Sequence, residues 1–392
     1  MKILKNKYLI LLLGLQNIIQ IGLVYPFHIL AVVYFSLKIK FKIKTHLDLI
    51  LVLYISAGII SLVLGTILAF YYNYASDVSI QFLKSFFVFM TCIVFFGVSK
   101  LTIEEFIKVS IWLFGITSLF ILLSYLYLFA TESFSLYQLR GQINWTTGWP
   151  QRWVMFAIIA HFMFYSKYHY SKYKIDLLMA LITLSIILLG GTRSALLSLV
   201  VGHIIFSFLT KKDFVRFLIL LFVSGITVFI YWREFSDAFR IASTLNYFNS
   251  EVENTSSLGY RLNSLWPALI GSLDSSRILF GWGHIGAASI PNLGFNTSES
   301  QYIDVIIRQG IIGIVLYLSV LFTGIYYAYK LYIIDKNINT IWIWEASIVW
   351  QVAMLFQGIT VETARYSLYG LFYFLFLGIL STYYYKRKRN ND

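Results

Sequence analysis

Long apolar runs, unbroken by the polar residues a water-facing surface needs, dominate this 392-residue chain. A bilayer core is crossed by roughly 20 consecutive apolar residues in a helix. Closed β-barrels cross as well, but they read as short stretches of alternating apolar and polar residues. The runs here are too long and too solid for that, so they predict helices in lipid. Composition agrees: 59% of residues are hydrophobic and only 12% are charged, where a soluble domain carries roughly 25% charged residues.

Candidate spans run Tyr8–Leu23, Tyr25–Leu37, Leu47–Tyr71, Ile80–Val98, Phe106–Ala130, Gln151–Ser166, Ile175–Leu189, Ala195–Leu209, Phe214–Trp232, Ser300–Tyr329, Ile341–Val361 and Tyr366–Tyr385. The expectation is an all-α polytopic membrane protein, one integral membrane domain over residues 1–392 with about twelve transmembrane helices. A large polar segment, residues 233–298, separates the ninth helix from the tenth. The lysine-flanked first run resembles a signal peptide. It reads as an uncleaved anchor, because no small-residue cleavage site follows and further spans come at once. Cys92 is the only cysteine, which excludes an internal disulfide.

Lysine and arginine fix the expected orientation. With the N-terminus inside, the cytoplasmic connections collect 21 of the 31 basic residues. Both termini are then cytoplasmic, and residues 233–298 form an extracytoplasmic loop. The formal charge of +13 is thereby assigned to membrane topology, and no nucleic-acid partner is expected. The type of basic residue also divides by side. Inside, lysine outnumbers arginine 18 to 3; outside or near the outer edge, arginine outnumbers lysine 9 to 1. Topology does not distinguish the two, but planar bidentate binding of phosphate or carboxylate favours arginine. The outer face therefore reads as a site for a phosphorylated or acidic substrate. Ion pairs with Asp237, Glu251, Glu253 or Asp274 are the plainer reading for part of this set.

Three constellations carry the chemistry. Gly190-Gly191-Thr192-Arg193 lies between two apolar runs, at their outer end. A charge there needs a partner, unless Arg193 simply snorkels to the interface. Gly259-Tyr260-Arg261, Trp266-Pro267 and Phe280-Gly281-Trp282-Gly283 form the second group; aromatic faces stack on sugars and arginine holds phosphate. The third runs from Glu299 through Tyr302 and Asp304 to Arg308, Gly310 and Gly313. Glu299 opens a helix, where backbone N–H groups favour a carboxylate. Asp304 and Arg308, spaced i,i+4, can pair on one face, so a structural ion pair stands beside a substrate-binding role. His161, His203, Glu345 and Glu362 are polar residues within spans, read as structural; Glu362 and Arg365 lie near the outer surface.

In this order, these motifs resemble the O-antigen ligase and O-antigen polymerase superfamily of bacterial membrane proteins. The Gly-x-Arg-like element is Gly191-Thr192-Arg193. The loop element is Arg261 with Trp266, the Phe-Gly-x-Gly turn is Phe280 to Gly283, and the Gly-x-x-Gly is Gly310 to Gly313. Ligases carry a His-Asn pair at the helix start after the loop. Here Glu299-Ser300 stands there, which points to the polymerase branch. The resemblance implies a glycosyltransferase-C-like fold in the bacterial inner membrane. It also implies a polymerase joining oligosaccharide repeat units carried on undecaprenyl diphosphate, in O-antigen, capsule or exopolysaccharide synthesis. Partners implied are that lipid-linked oligosaccharide, the bilayer, and flippase and chain-length regulator proteins.

The implied roles follow. Arg193 and Arg261 neutralise the diphosphate leaving group, with Arg308 as a third. Glu299 is the general base, with Asp304 second. Tyr260, Trp266, Tyr302 and Arg365 contact substrate. No His/Cys/Asp ligand set points to a metal, and the donor brings its own leaving group, so no cofactor is expected. The rival readings are a lipid-linked oligosaccharide flippase, which would show two related halves, and a ligase that passes finished glycan to another acceptor.

Overall fold

The structure is a computed structural model. It describes residues 26–37, 41–71, 78–97, 102–131, 150–190, 192–210, 260–275, 277–284, 300–359 and 367–391. All regular structure among them is helical: α1 (Pro26–Ser36), α2 (His46–Tyr71), α3 (Val78–Gly97), α4 (Ile103–Thr131), α5 (Pro150–Ser171), α6 (Lys174–Leu189), α7 (Arg193–Thr210), α8 (Trp266–Gly271), α9 (Gln301–Ile334), α10 (Ile338–Gly358) and α11 (Ser367–Asn391). Each expected span coincides with a helix to within a few residues, except Tyr8–Leu23 and Phe214–Trp232, which lie outside the described residues. Among the described residues, His46–Tyr71, Ile103–Tyr127 and Gln301–Ile334 are long and apolar enough to cross a membrane. Among the described residues the protein is thus an all-helical membrane protein.

The chain divides into two compact units. The first holds α4 to α7, the end of α9 and α10 up to Gln357. There α5 packs on α4, α6 and α7, and α4 also packs on α6. Uninterrupted helices place their polar residues against one another across these contacts. His161 Nδ1 bonds the Ala180 carbonyl at 2.9 Å, and its Nε2 lies 3.0 Å from His203 Nε2. Glu345, fully buried, accepts hydrogen bonds from Ser166 (2.6 Å) and Tyr170 (2.9 Å). Lys167 pairs with Asp176 at 2.7 Å. Polar groups in an apolar medium require such partners.

The second unit holds α2, α3, α8, α9 as far as Tyr327, and α11. Here α3 packs on α2 and on α11. Asp48 opens α2 as a cap: its carboxylate accepts from the backbone N–H groups of Lys44 (2.7 Å) and Thr45 (2.9 Å), and from Ser381 of α11 (2.6 Å). One side chain thereby satisfies orphan donors at the helix start and ties two helices together. The described part of the polar segment, 260–284, folds onto the first turns of α9. A π-helical turn (Arg261–Leu265) leads into α8. Leu265 and Leu269 bury themselves with Trp282 and Ile307, with Trp266, Leu273 and Ile303 packed around them.

Candidate functional site

The centre of the second unit is a break in α9. Gly310 adopts φ 66°, ψ −162° inside an otherwise helical run, which releases backbone groups that a helix would bond internally. Non-helical backbone at membrane depth is tolerated only when protein satisfies it. The turn through Phe280-Gly281-Trp282-Gly283 does this. Trp282 N–H donates to the Ile307 carbonyl (2.7 Å), while Ile311 and Ile312 N–H donate to the carbonyls of Ile278 (2.9 Å) and Leu279 (3.3 Å). Ser61 of α2 donates its hydroxyl to the Arg308 carbonyl.

Two glycines make the fit. Gly281 has φ 69°, and a Cβ there would collide with the Arg308 carbonyl. A Cβ on Gly310 would collide with the Leu279 carbonyl. Both positions combine a left-handed conformation with backbone contact, so only glycine is accommodated. The turn itself is braced from within. Arg277 pairs with Asp274 at 3.0 Å and lays its guanidinium 3.6 Å from the Trp282 ring centroid, a cation–π arrangement.

Asp304 and Arg308 sit at this junction. Arg308 Nε donates to Asp304 Oδ1 at 2.8 Å, and both side chains are largely buried, at 11% and 7% exposure. Arg308 Nη1 donates to Ser85 of α3 (3.2 Å) and to the His284 carbonyl (3.0 Å). Of the two readings open for this pair in the sequence, the geometry favours the ion pair. His284 is buried, and its ring meets Phe82 edge-on at 5.6 Å. Burial lowers its pKa below the ordinary imidazole value; the Leu62 backbone opposes that shift and the Arg308 charge adds to it.

The remaining expected residues fall as follows. Tyr260 is exposed just before the π-helical turn, which Arg261 opens; Trp266 follows it, half-buried against the Trp282 cluster. Tyr302, on the first turn of α9, has its ring 6.5 Å from Tyr317. The second unit therefore brings Trp266, the Phe-Gly-x-Gly turn, Asp304 and Arg308 onto one short stretch of α9, with Arg261 at the start of the π-helical turn that leads into Trp266. Arg193 is the first residue of α7, in the first unit, after the Gly190 that caps α6. Glu299 and Arg365 lie outside the described residues. Among the described residues no group of three or more His, Cys, Asp or Glu could hold a metal.

Ser61, Ser85, Arg277 and His284 are the additions that sequence reasoning did not place here. Arg277 carried a signal as one of the outer arginines. Ser61 and Ser85 carried none: their partner Arg308 lies 247 and 223 residues away, and serine is common in spans.

A helical membrane protein with a glycine-locked turn docked into a broken apolar helix is the class that the described residues define. Residues 178–318 match the family model described as O-antigen ligase. This match supports placing residues 178–318 with the O-antigen ligase and polymerase superfamily, whose members are glycosyltransferase-like enzymes. The matched stretch begins in α6, includes Arg193, Arg261 and the turn, and ends in α9 beyond the break. No curated protein matches the chain.

Proposed function

We propose that this protein is a polysaccharide polymerase that joins undecaprenyl-diphosphate-linked repeat units at the outer face of the bacterial cytoplasmic membrane. It crosses that membrane about twelve times, with both termini cytoplasmic and residues 233–298 outside. The family match over residues 178–318 carries the reading. Glu299-Ser300, standing where ligases place His-Asn, selects the polymerase branch within it.

In the reaction, an acceptor sugar hydroxyl attacks the anomeric carbon of the donor glycan. A glycosidic C–O bond forms, the bond to the diphosphate oxygen breaks, and undecaprenyl diphosphate departs. Glu299 takes the hydroxyl proton. Arg193 and Arg261 stabilise the charge that grows on the diphosphate, the term that most often dominates such catalysis. Tyr260, Trp266, Tyr302 and Arg365 line the glycan path. The substrate arrives from a flippase, and a chain-length regulator sets the product size.

The test uses purified protein and lipid-linked repeat units alone. A polymerase extends them; a ligase needs a second acceptor, and a flippase makes no new bond. The ligase is the second reading, favoured by the description of the matching family. Arg193→Ala and Arg261→Ala should each lower kcat by about 10²–10³-fold, and Glu299→Gln by about 10²–10⁴-fold. Arg193→Lys should also lose most activity, because a point charge does not replace a bidentate fork. Normal polymer length in all of these, at normal protein levels, removes the assignment.

A further inference from the structure

We infer that Asp304 and Arg308 are positioning residues: with Ser85 they clamp the Phe280–Gly283 turn into the break of α9 and touch no substrate. The kinetic part of this inference rests on the polymerase reading; the structural part does not.

Two of the three nitrogens of the Arg308 guanidinium are already directed within the fold. Nε goes to Asp304, and Nη1 is shared between Ser85 and the His284 carbonyl. Those partners come from three places: α9 itself, α3, and the end of the docked turn. The main chain of the same residue is engaged as well. Its carbonyl accepts from Ser61 of α2 and faces Gly281 so closely that no Cβ fits between. Arg308 is thus the residue on which α2, α3, α9 and the turn all meet. A guanidinium that grips a diphosphate presents a free planar fork to it; this one is turned inward and nearly buried.

The position of the turn bears on the chemistry through the chain. Trp282 packs with Leu265 and Leu269, and these carry the π-helical turn that Arg261 opens. Past His284 the chain runs on to Glu299. Releasing the His284 carbonyl from Arg308 loosens the packing of Trp282 against Leu265, the last residue of the turn that Arg261 opens. Misplacement of reacting groups by about 1 Å costs on the order of 10²-fold in rate. The clamp therefore governs kcat, and leaves affinity for the lipid-linked donor to groups elsewhere.

Three variants separate this from direct binding. Arg308→Lys keeps the charge near Asp304 but cannot reach Ser85 and His284 together. Asp304→Asn removes the counter-charge. Ser85→Ala removes one acceptor of the Arg308 guanidinium with the least threat to folding, and decides the matter where the other two fail to accumulate. Two measurements are made on full-length protein in detergent or nanodiscs: steady-state kinetics (kcat and KM) with lipid-linked repeat units, and amide hydrogen exchange across residues 278–284 and 307–312.

The expected result is kcat lowered about 10- to 100-fold in Arg308→Lys and Asp304→Asn, and less in Ser85→Ala, with KM unchanged within about twofold. Exchange at Trp282, Ile311 and Ile312 should accelerate in the same order. A KM raised tenfold or more with exchange unchanged makes Arg308 a donor ligand and overturns the inference; so does wild-type behaviour in both measurements. Should the wild-type protein form no glycosidic bond, the polymerase reading fails by itself. Exchange then decides the clamp alone: faster in the variants upholds it, unchanged overturns it.

Discussion

The two units solve one problem, polar groups in an apolar setting, in opposite ways. In the first unit the backbone stays helical and the polar side chains satisfy each other: His161 with His203, and Ser166 and Tyr170 with Glu345. In the second the backbone itself is interrupted at Gly310, and a turn from a distant part of the sequence supplies the missing partners. The first arrangement costs little in strain and holds helices together. The second relies on conformations open only to glycine and on backbone contacts that leave no room for a Cβ. If that distinction is physical, substitutions of similar size should differ sharply between the units.

Gly310→Ala should show the largest effect. It adds the strain of a left-handed alanine, about 1–3 kcal/mol, to a collision with the Leu279 carbonyl of similar cost. The sum, roughly 4 kcal/mol, is comparable with the whole stability of many domains. Little folded protein should be recovered, as read by detergent size-exclusion profile and thermal unfolding. Asp304→Asn comes next. It leaves Arg308 buried without its counter-charge, a change that costs about 3–5 kcal/mol when a buried pair is broken. The low end is expected, because Ser85 and the His284 carbonyl remain. A shift in unfolding midpoint for Asp304→Asn that is smaller than for first-unit changes would erase the contrast.

How much of this was legible follows from the reach of each interaction. The helices were readable because apolar length is local: α2 to α7 and α9 to α11 fall within about six residues of the expected limits wherever both are described, while the short α8 lies in the segment read as a loop. The Phe-Gly-x-Gly and Gly-x-x-Gly elements were readable as motifs, but not as partners. That Gly281 faces Arg308 and Gly310 faces Leu279 is a fact of long-range docking that no spacing encodes. The Asp304–Arg308 pair was legible from its i,i+4 spacing. Its direction was not, because that depends on Ser85 and His284, which sequence periodicity cannot connect to it. The two-unit division was not legible either, since both units are built from helices that are similar in composition and interleaved along the chain.

A smaller effect is expected at Glu345 in the first unit. Glu345→Gln keeps the shape and one acceptor, but Ser166 and Tyr170 both donate to the carboxylate, so one amide N–H group must face a donor. Mispairing of one buried hydrogen bond costs about 1–3 kcal/mol. Thermal unfolding should shift by less than in Asp304→Asn, and kcat with lipid-linked substrate should stay near wild type. A kcat loss matching that of Asp304→Asn would move the functional site toward this helix contact and dissolve the division of labour between the units.

The smallest effect sharpens the comparison most. Gly115 lies in α4 of the first unit and, like Gly310, is a glycine in the interior of a long, mostly apolar helix. A Cβ built on Gly115, however, meets only the end of Met179, at 3.8 Å, an ordinary contact. Alanine there restricts the unfolded chain and fills space without strain, so Gly115→Ala should leave stability unchanged or raise it by up to about 1 kcal/mol. The same chemical change, one methyl group on a span glycine, should thus be harmless in one unit and ruinous in the other. A destabilisation of Gly115→Ala as large as that of Gly310→Ala would show that span glycines in this protein are intolerant in general. The break in α9 would then lose its claim to be the place where glycine is required by the fold.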